Sequence, residues 1–167
     1  MDKDIAKQRM DNGGSGLSTW MYKMPQVKIK KVAENAIIPT KGSKYAAGFD
    51  LYATEDTEIW IGETKVIGSG IAIEIPEGFF GAVFSRSGLS TKRGLAVING
   101  VGVIDSDYRG EIKVPLHNHG NKKEIIKSGE RIAQLVLIRY HEYEWLEVDS
   151  LEDSARGVCG FGSSGRY

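Results

Sequence analysis

Short apolar runs with a period of two, each ended by a turn signal, recur along the chain from residue 27. Alternation is strongest over Ile71-Ala72-Ile73-Glu74-Ile75, which the turn Pro76-Glu77-Gly78 follows. A period of two places successive side chains on opposite faces of a sheet, and helical periodicity is confined to a turn or two around 89–93. The pattern predicts an all-β sandwich or barrel, and we favour a jelly-roll-like β-barrel.

The expected strands carry apolar or alternating residues between polar turns. The run 95–98 precedes the stretch Gly102–Glu111, and alternation resumes over 112–116. Asp105-Ser106-Asp107-Tyr108 between these runs predicts a hairpin with a short loop. The other expected strands cover residues 27–32, 46–53, 59–61, 66–75, 79–84, 124–126 and 131–138, with Trp145–Val148 ending the regular part.

Composition narrows the class of protein. The 167 residues suit one domain, and 22 basic residues against 22 acidic ones leave no global field for nucleic acid or a membrane surface. No apolar run approaches the length of about 20 residues that spans a bilayer. The single cysteine, Cys159, cannot form an internal disulfide. We expect an intracellular protein, in cytoplasm or nucleus, without a secretion signal, membrane attachment or direct nucleic-acid binding.

Three regions are expected along the chain. Residues 1–24 contain Gly13-Gly14-Ser15-Gly16 and are typical of a flexible leader or tag-like extension. Residues 25–150 form the predicted barrel. Residues 151–167, rich in glycine and serine, are expected to be a mobile C-terminal arm.

Two polar segments interrupt the first half of the predicted barrel. Asp50 lies in the apolar run 46–51, where a carboxylate costs free energy unless a partner, a metal or a capped backbone N–H stabilises it. The segment Ser85-Arg86-Ser87-Gly88 follows a strand and opens a possible helical turn. Its backbone N–H groups, hydroxyls and guanidinium favour a phosphate cradle, and a basic surface turn is the alternative.

The stretch Gly102–Glu111 is the densest group of reactive side chains. Asp105 is suited to activating a water as a general base, and Tyr108, three residues later, offers a flat face to a sugar or ring. Asn99-Gly100 comes just before this stretch. A polar turn without chemistry is the alternative.

The last two segments lie nearer the C-terminus. The segment Gly129–Gln134 ends in Gln134, an odd residue within a long apolar strand that needs hydrogen-bond partners, which a ligand or its water shell could supply. The segment Arg156–Gly165 combines an arginine, the aromatic Phe161 and the hydroxyls of Ser163 and Ser164. It fits either an arm that closes on a ligand or a disordered tail.

Together and in this order, the five segments resemble the five sequence motifs of the homotrimeric dUTPase family, from about Val27 to Gly165. The resemblance implies a jelly-roll homotrimer with active sites at subunit junctions. It implies Mg2+-assisted hydrolysis of dUTP to dUMP and pyrophosphate, which keeps uracil out of DNA and supplies dUMP for dTMP synthesis.

The resemblance also implies residue roles. Asp105 would orient and deprotonate the water that attacks the α-phosphorus, and Tyr108 would lie under the deoxyribose and exclude a 2′-hydroxyl. Asn99 and the backbone that follows it would meet the uracil edge. Mg2+ would be held through phosphates and waters, supported by Asp50 and Gln134. The implied substrate-binding residues are Arg86, Ser87, Gly88, Asn99, Gly102, Tyr108, Gln134, Arg156, Phe161, Gly162, Ser163 and Ser164.

Three residues depart from the family pattern: Ser85 replaces a frequent Pro, Phe49 a frequent Tyr, and Cys159 a usual Gly. Of these, Cys159 is expected to matter most, because a Cβ there could slow closure of the arm. The alternatives are a dCTP deaminase of the same fold, a non-catalytic nucleotide sensor on the same trimer, and a β-sandwich module that binds a protein. The spacing from Asp105 to Tyr108 and the complete set of motifs favour the dUTPase.

Overall fold

The computed structural model describes residues 26–160, and these residues form twelve strands and one short helix. The elements are β1 Lys28–Lys31, β2 Thr40–Lys41, β3 Phe49–Tyr52, β4 Thr57–Ile59, β5 Thr64–Gly68, β6 Ile71–Glu74, β7 Phe79–Phe84, α1 Ser87–Arg93, β8 Leu95–Val97, β9 Val101–Ile104, β10 Lys113–Asn118, β11 Glu124–Ile126 and β12 Arg131–Arg139.

All strand pairing is antiparallel, and it confirms the predicted all-β, jelly-roll-like class. The largest sheet has five strands in the order β2-β3-β12-β7-β9, and a three-stranded sheet has the order β5-β10-β8. Two further pairs, β1 with β6 and β4 with β11, complete the fold. Their inward side chains form one aliphatic core, in which Leu51, Ile67, Leu95, Ile112 and Ile132 are fully buried.

The sequence pattern predicts several elements well. The runs at 79–84 and 124–126 are strands with those bounds, and the short helix spans Ser87–Arg93. The helix ends at Gly94, whose left-handed φ of 69° closes it through hydrogen bonds from its N–H to the carbonyls of Leu89 and Ser90.

Three strand predictions are wrong. The predicted strand 59–61 ends at Ile59, because Trp60 opens a turn in which the Glu63 N–H donates to its carbonyl. The predicted strand 66–75 is two strands, β5 and β6, separated by a glycine turn. Within the part of the chain that the structure describes, the last strand ends at Arg139, so Trp145–Val148 is not a strand.

The predicted central hairpin is also wrong. Over residues 26–160, β9 pairs with β7 in the five-stranded sheet, whereas β10 pairs with β5 and β8. Residues 105–112, which we call the Asp105 loop, therefore pass from one sheet to another. The apolar alternation on either side of the loop was read correctly, but alternation alone does not reveal which strands are partners.

The three predicted regions are only partly covered by the structure. The leader 1–24 lies outside the described residues, as does the arm beyond residue 160. Residues 26–160 include no helix long and apolar enough to cross a membrane.

Candidate active site

A buried carboxylate organises the first polar cluster. Asp50, on β3, is 8% exposed and is the direct cross-strand partner of Gln134 on β12. It accepts a hydrogen bond from Arg86 Nε at 2.9 Å and another from Arg131 Nη1 at 3.2 Å. The negative charge of the buried Asp50 carboxylate is tolerated because both hydrogen-bond partners are cations. Asp50 therefore holds two guanidinium groups in place and does not cap a local backbone N–H.

Gln134 fixes the backbone beside this ion cluster. Its Nε2 donates to the carbonyl of Ser85 at 3.0 Å, and Arg86 Nη1 donates to the carbonyl of Arg131 at 3.0 Å. Ser85 in turn accepts a hydrogen bond at Oγ from the Val97 N–H at 2.8 Å. We call Asp50, Arg86, Arg131 and Gln134 the arginine cradle.

The start of α1 extends the cradle toward solvent. Ser87 and Gly88 are exposed, and nothing lies within 4 Å of a Cβ built on Gly88. The Arg86 carbonyl accepts from the N–H groups of Leu89 and Ser90, which fixes the turn. The predicted grouping of Asp50, Arg86, Ser87, Gly88 and Gln134 is thus a real spatial cluster.

Asp105 and Tyr108 lie together in the Asp105 loop. The Tyr108 N–H donates to the Asp105 carbonyl at 3.2 Å, which makes a turn, and the Tyr108 hydroxyl donates to the Glu111 carbonyl at 3.0 Å. Asp105 is exposed, and Tyr108 is 45% exposed. None of the hydrogen bonds and ion pairs among residues 26–160 uses the Asp105 carboxylate.

Two open clefts meet at Asp105. One, of about 210 Å3, is lined by Val103, Ile104, Asp105, Tyr108, Glu111 and Lys113. The other, of about 550 Å3, is lined by Phe80, Val103, Asp105, Ser106, Asp107 and Tyr140. A carboxylate shared by two clefts can reach a bound molecule and a water at the same time.

Within one chain, the cradle and Asp105 are far apart. Gln134 is paired with Phe84, which is paired with Val101, whereas Ile104 is paired with Gly81 toward the other end of β7. Ile104 is therefore displaced from Gln134 by two strand spacings across the sheet and by three residues along the strand, and each of these displacements is about 10 Å. One chain therefore does not bring the arginine cradle and Asp105 to the same reacting atom.

Asn99 and Gly102 lie between these two places. Asn99 is in the β8–β9 turn at the cradle end of β9, and Gly102 is paired with Val83 in mid-strand. A Cβ on Gly102 would lie 3.2 Å from Val83 Cβ, so a larger residue would crowd the sheet. The structure does not bring Asn99 to Tyr108, and its role at a uracil edge stays a prediction.

The predicted arm is described only as far as residue 160. Arg156 Nε donates to the Cys159 carbonyl at 2.8 Å, and the left-handed residue of this turn is Gly157, with φ 53°. Residues 141–159 are exposed throughout, including Trp145 at 89%. Phe161, Gly162, Ser163 and Ser164 lie outside the described residues.

Three residues of these clusters were missed by sequence reasoning. Arg131 belongs to the Gly129–Gln134 segment, but its pairing with Asp50 depends on the register of β3 and β12. Glu111, at the end of the Asp105 loop, and Lys113, at the start of β10, line the smaller cleft because the loop carries the chain from one sheet to the other. The position of Glu111, as the third carboxylate of the stretch Gly102–Glu111, was the only sequence feature that could have indicated it.

Among residues 26–160, no group of three or more His, Cys, Asp or Glu is placed to hold a metal. The cradle contributes two guanidinium groups and one carboxylate, which leaves one net positive charge. This single positive charge would neutralise only part of the negative charge of a nucleoside triphosphate. A divalent cation carried on the phosphates therefore fits this donor set.

A family model and individual relatives agree on the family that this sequence resembles. A family model described as dUTPase matches residues 34–165. A deoxyuridine 5′-triphosphate nucleotidohydrolase of Nautilia profundicola is 50% identical over 141 residues, which cover 84% of this chain and 99% of the relative. One of Eremothecium gossypii is 42% identical over 146 residues, covering 87% of this chain and 94% of the relative.

Solved structures agree. The dUTPase of Staphylococcus bacteriophage 80alpha with dUPNHPP has a TM-score of 0.79 and 31% identity, covering 84% of this chain and 98% of its own. A mutant dUTPase from phage phi11 of S. aureus, described with a structural Mg(II) ion, has a TM-score of 0.72 and 26% identity. It covers 77% of this chain and 100% of its own.

Proposed function

Because this chain belongs to the dUTPase family, we propose that it hydrolyses dUTP to dUMP and pyrophosphate by means of a water that Asp105 activates. The observation that carries the mechanism is the exposed Asp105 carboxylate at the junction of two clefts, beside Tyr108. Asp105 takes a proton from the water, the resulting oxygen bonds to the α-phosphorus, and pyrophosphate leaves.

The arginine cradle is suited to the phosphates. Asp50 restrains Arg86 and Arg131, so their orientation is set before an anion binds and less conformational freedom is lost on binding. Ser87 and the Gly88 backbone extend this surface. Mg2+, when bound, would supply charge neutralisation on the phosphates. Gln134, the uncharged cradle residue, would meet its water shell, and Asp50 would act through the two arginines that it holds.

A homotrimer with shared sites resolves the separation of the two clusters. If the cradle of one subunit faces the Asp105 loop of another, both reach one ligand. Apolar side chains that a single chain leaves exposed support such an assembly: Val66 is 62% exposed, Val103 60% and Leu146 84%. The exposed residues 141–159 would carry Arg156 and the predicted closing residues Phe161, Gly162, Ser163 and Ser164 to a neighbouring site.

Selectivity follows from pairing and shape. Tyr108 would lie against the deoxyribose, where a 2′-hydroxyl would clash, and Asn99 with the Gly102 backbone would pair with uracil. A base with the wrong donors would leave buried groups unpaired, which discriminates strongly. The resulting activity keeps uracil out of DNA and supplies dUMP for dTMP synthesis, inside the cell in cytoplasm or nucleus.

Product analysis tests the proposal. The purified protein is incubated with dUTP, dCTP, dTTP or UTP and Mg2+, and pyrophosphate and ammonia are measured, with Asp105→Asn as the matched control. Pyrophosphate from dUTP alone supports the proposal. Ammonia from dCTP would identify a deaminase, and tight dUTP binding without turnover would identify a sensor.

A further inference from the structure

The glycine turn between β5 and β6 is bonded directly to the end of the Asp105 loop. The Gly70 N–H donates to Glu111 Oε1 at 2.8 Å. Ser69 Oγ donates to the Ile112 carbonyl at 2.6 Å, and the Ile112 N–H donates to the Ile71 carbonyl at 2.9 Å. These bonds attach the Glu111 side chain and its neighbouring backbone to a rigid part of the core.

The turn is shaped to receive the Glu111 carboxylate. A Cβ built on Gly68 would lie 2.5 Å from Glu111 Oε1, so any side chain there would displace the carboxylate. Gly70 has φ 68°, and a Cβ on it would lie 2.6 Å from Thr54 Cγ2. The Glu111 carboxylate therefore requires glycine at position 68, whereas position 70 requires glycine because of its left-handed φ and the close approach of Thr54.

Glu111 also fixes Tyr108. The Tyr108 hydroxyl donates to the Glu111 backbone carbonyl at 3.0 Å, and both residues line the 210 Å3 cleft. The attachment thus runs from the Gly70 N–H through Glu111 to the phenol ring. The Lys113 ammonium, 3.7 Å from the Glu111 carboxylate and 57% exposed, adds little to it.

We propose that Glu111 is a positioning residue for sugar selection: its carboxylate, held by Gly70, sets the plane of Tyr108. This inference rests on the proposed function, in which Tyr108 lies against the deoxyribose. A ring held in one orientation excludes a 2′-hydroxyl, whereas a ring free to tilt makes room for it. Loss of the attachment therefore raises turnover of UTP relative to dUTP.

The chain offers a closely matched control. Glu63 Oε2 accepts a hydrogen bond from a turn N–H, that of Trp60, at 2.8 Å, and pairs with a lysine two residues later, as Glu111 does. The Glu63 side chain is 31% exposed and that of Glu111 is 26% exposed. Glu63 lies in the β4–β5 turn and lines neither cleft at Asp105.

The test compares Glu111→Ala, Glu111→Gln, Glu63→Ala and Tyr108→Phe in the full chain. The first readout is the ratio of kcat/KM for dUTP to that for UTP; the second is amide hydrogen exchange over residues 68–71 and 105–112. For Glu111→Ala and Tyr108→Phe we expect the ratio to fall by about three- to tenfold, the equivalent of one hydrogen bond. Glu111→Gln keeps an acceptor for Gly70 and should stay within about twofold of wild type, as should Glu63→Ala.

The outcomes separate this inference from the proposed function. Faster exchange over 68–71 and 105–112 together with a lower ratio in Glu111→Ala, restored by Gln, supports it. A normal wild-type ratio that Glu111→Ala leaves unchanged overturns the role of Glu111 alone. A wild-type protein that hydrolyses UTP as fast as dUTP overturns both the sugar role of Tyr108 and this inference, whereas absence of any dUTP hydrolysis overturns the proposed function.

Discussion

In the arginine cradle one buried side chain, the Asp50 carboxylate, holds two other side chains, whereas in the Asp105 loop the side chains are held by backbone groups. The Asp50 carboxylate accepts hydrogen bonds from Arg86, in the connection between β7 and α1, and from Arg131 on β12. Tyr108 and Glu111 are bonded to a carbonyl and an N–H. In the proposed function the cradle therefore couples substrate binding to stability, while the Asp105 carboxylate makes no hydrogen bond or ion pair among residues 26–160. That difference predicts different phenotypes for substitutions in the two regions.

The largest effect is expected from Asp105→Asn. Removal of the general base should lower kcat by about 10²- to 10⁴-fold. The melting temperature should stay near wild type because the carboxylate is exposed and makes no bond among residues 26–160. Steady-state kinetics and calorimetry measure the two quantities. Near-normal turnover would remove Asp105 from the mechanism.

Deletion of residues 156–167 should reduce turnover severely, by about tenfold or more, since a closing segment excludes water and completes the site. Residues 156–159 are exposed, so the melting temperature should change little. Kinetics of the truncated protein beside its melting curve would check this. A fully active truncation would show that no arm is needed.

Asp50→Asn should affect both binding and stability. Loss of the charge leaves Arg86 and Arg131 less well held, so KM for dUTP rises, and we expect a destabilisation of about 1–3 kcal/mol. Urea unfolding and kinetics on the same preparation test the coupling. A change in KM without a change in stability would contradict the contrast between the regions.

The smallest expected effect is the pH dependence of the stability that Asp56 contributes. A hydrogen bond from Lys127, with a second from the Ser128 N–H, lowers the pKa of Asp56. A lowered folded-state pKa stabilises the protein above the unfolded pKa, and that contribution is lost as pH falls through the folded value. Asp56→Asn should therefore reduce the melting temperature slightly at pH 7 and by less at pH 3. Equal shifts at both pH values would show that the charge is irrelevant.

Sequence reasoning reached the class of fold and most of the cradle because both depend on local patterns. Short apolar runs next to turn signals predicted β7 and β11, and the isolated polar residues Asp50 and Gln134 indicated paired groups. The hairpin at the Asp105 loop was wrong because partner choice depends on long-range register. Arg131 and Glu111 were missed for the same reason: their partners lie far away in sequence.

The central claim is that one active site takes its cradle and its Asp105 from different subunits. Subunit mixing tests it directly: inactive Arg86→Ala and Asp105→Asn proteins are unfolded together, refolded in equal amounts and assayed with dUTP. The account predicts recovery of about one quarter of wild-type activity, since random trimers pair an intact cradle with an intact Asp105 at that frequency. Mixing either protein with the double variant should recover none. No recovery in the first mixture, with trimers exchanged, would contradict the shared site.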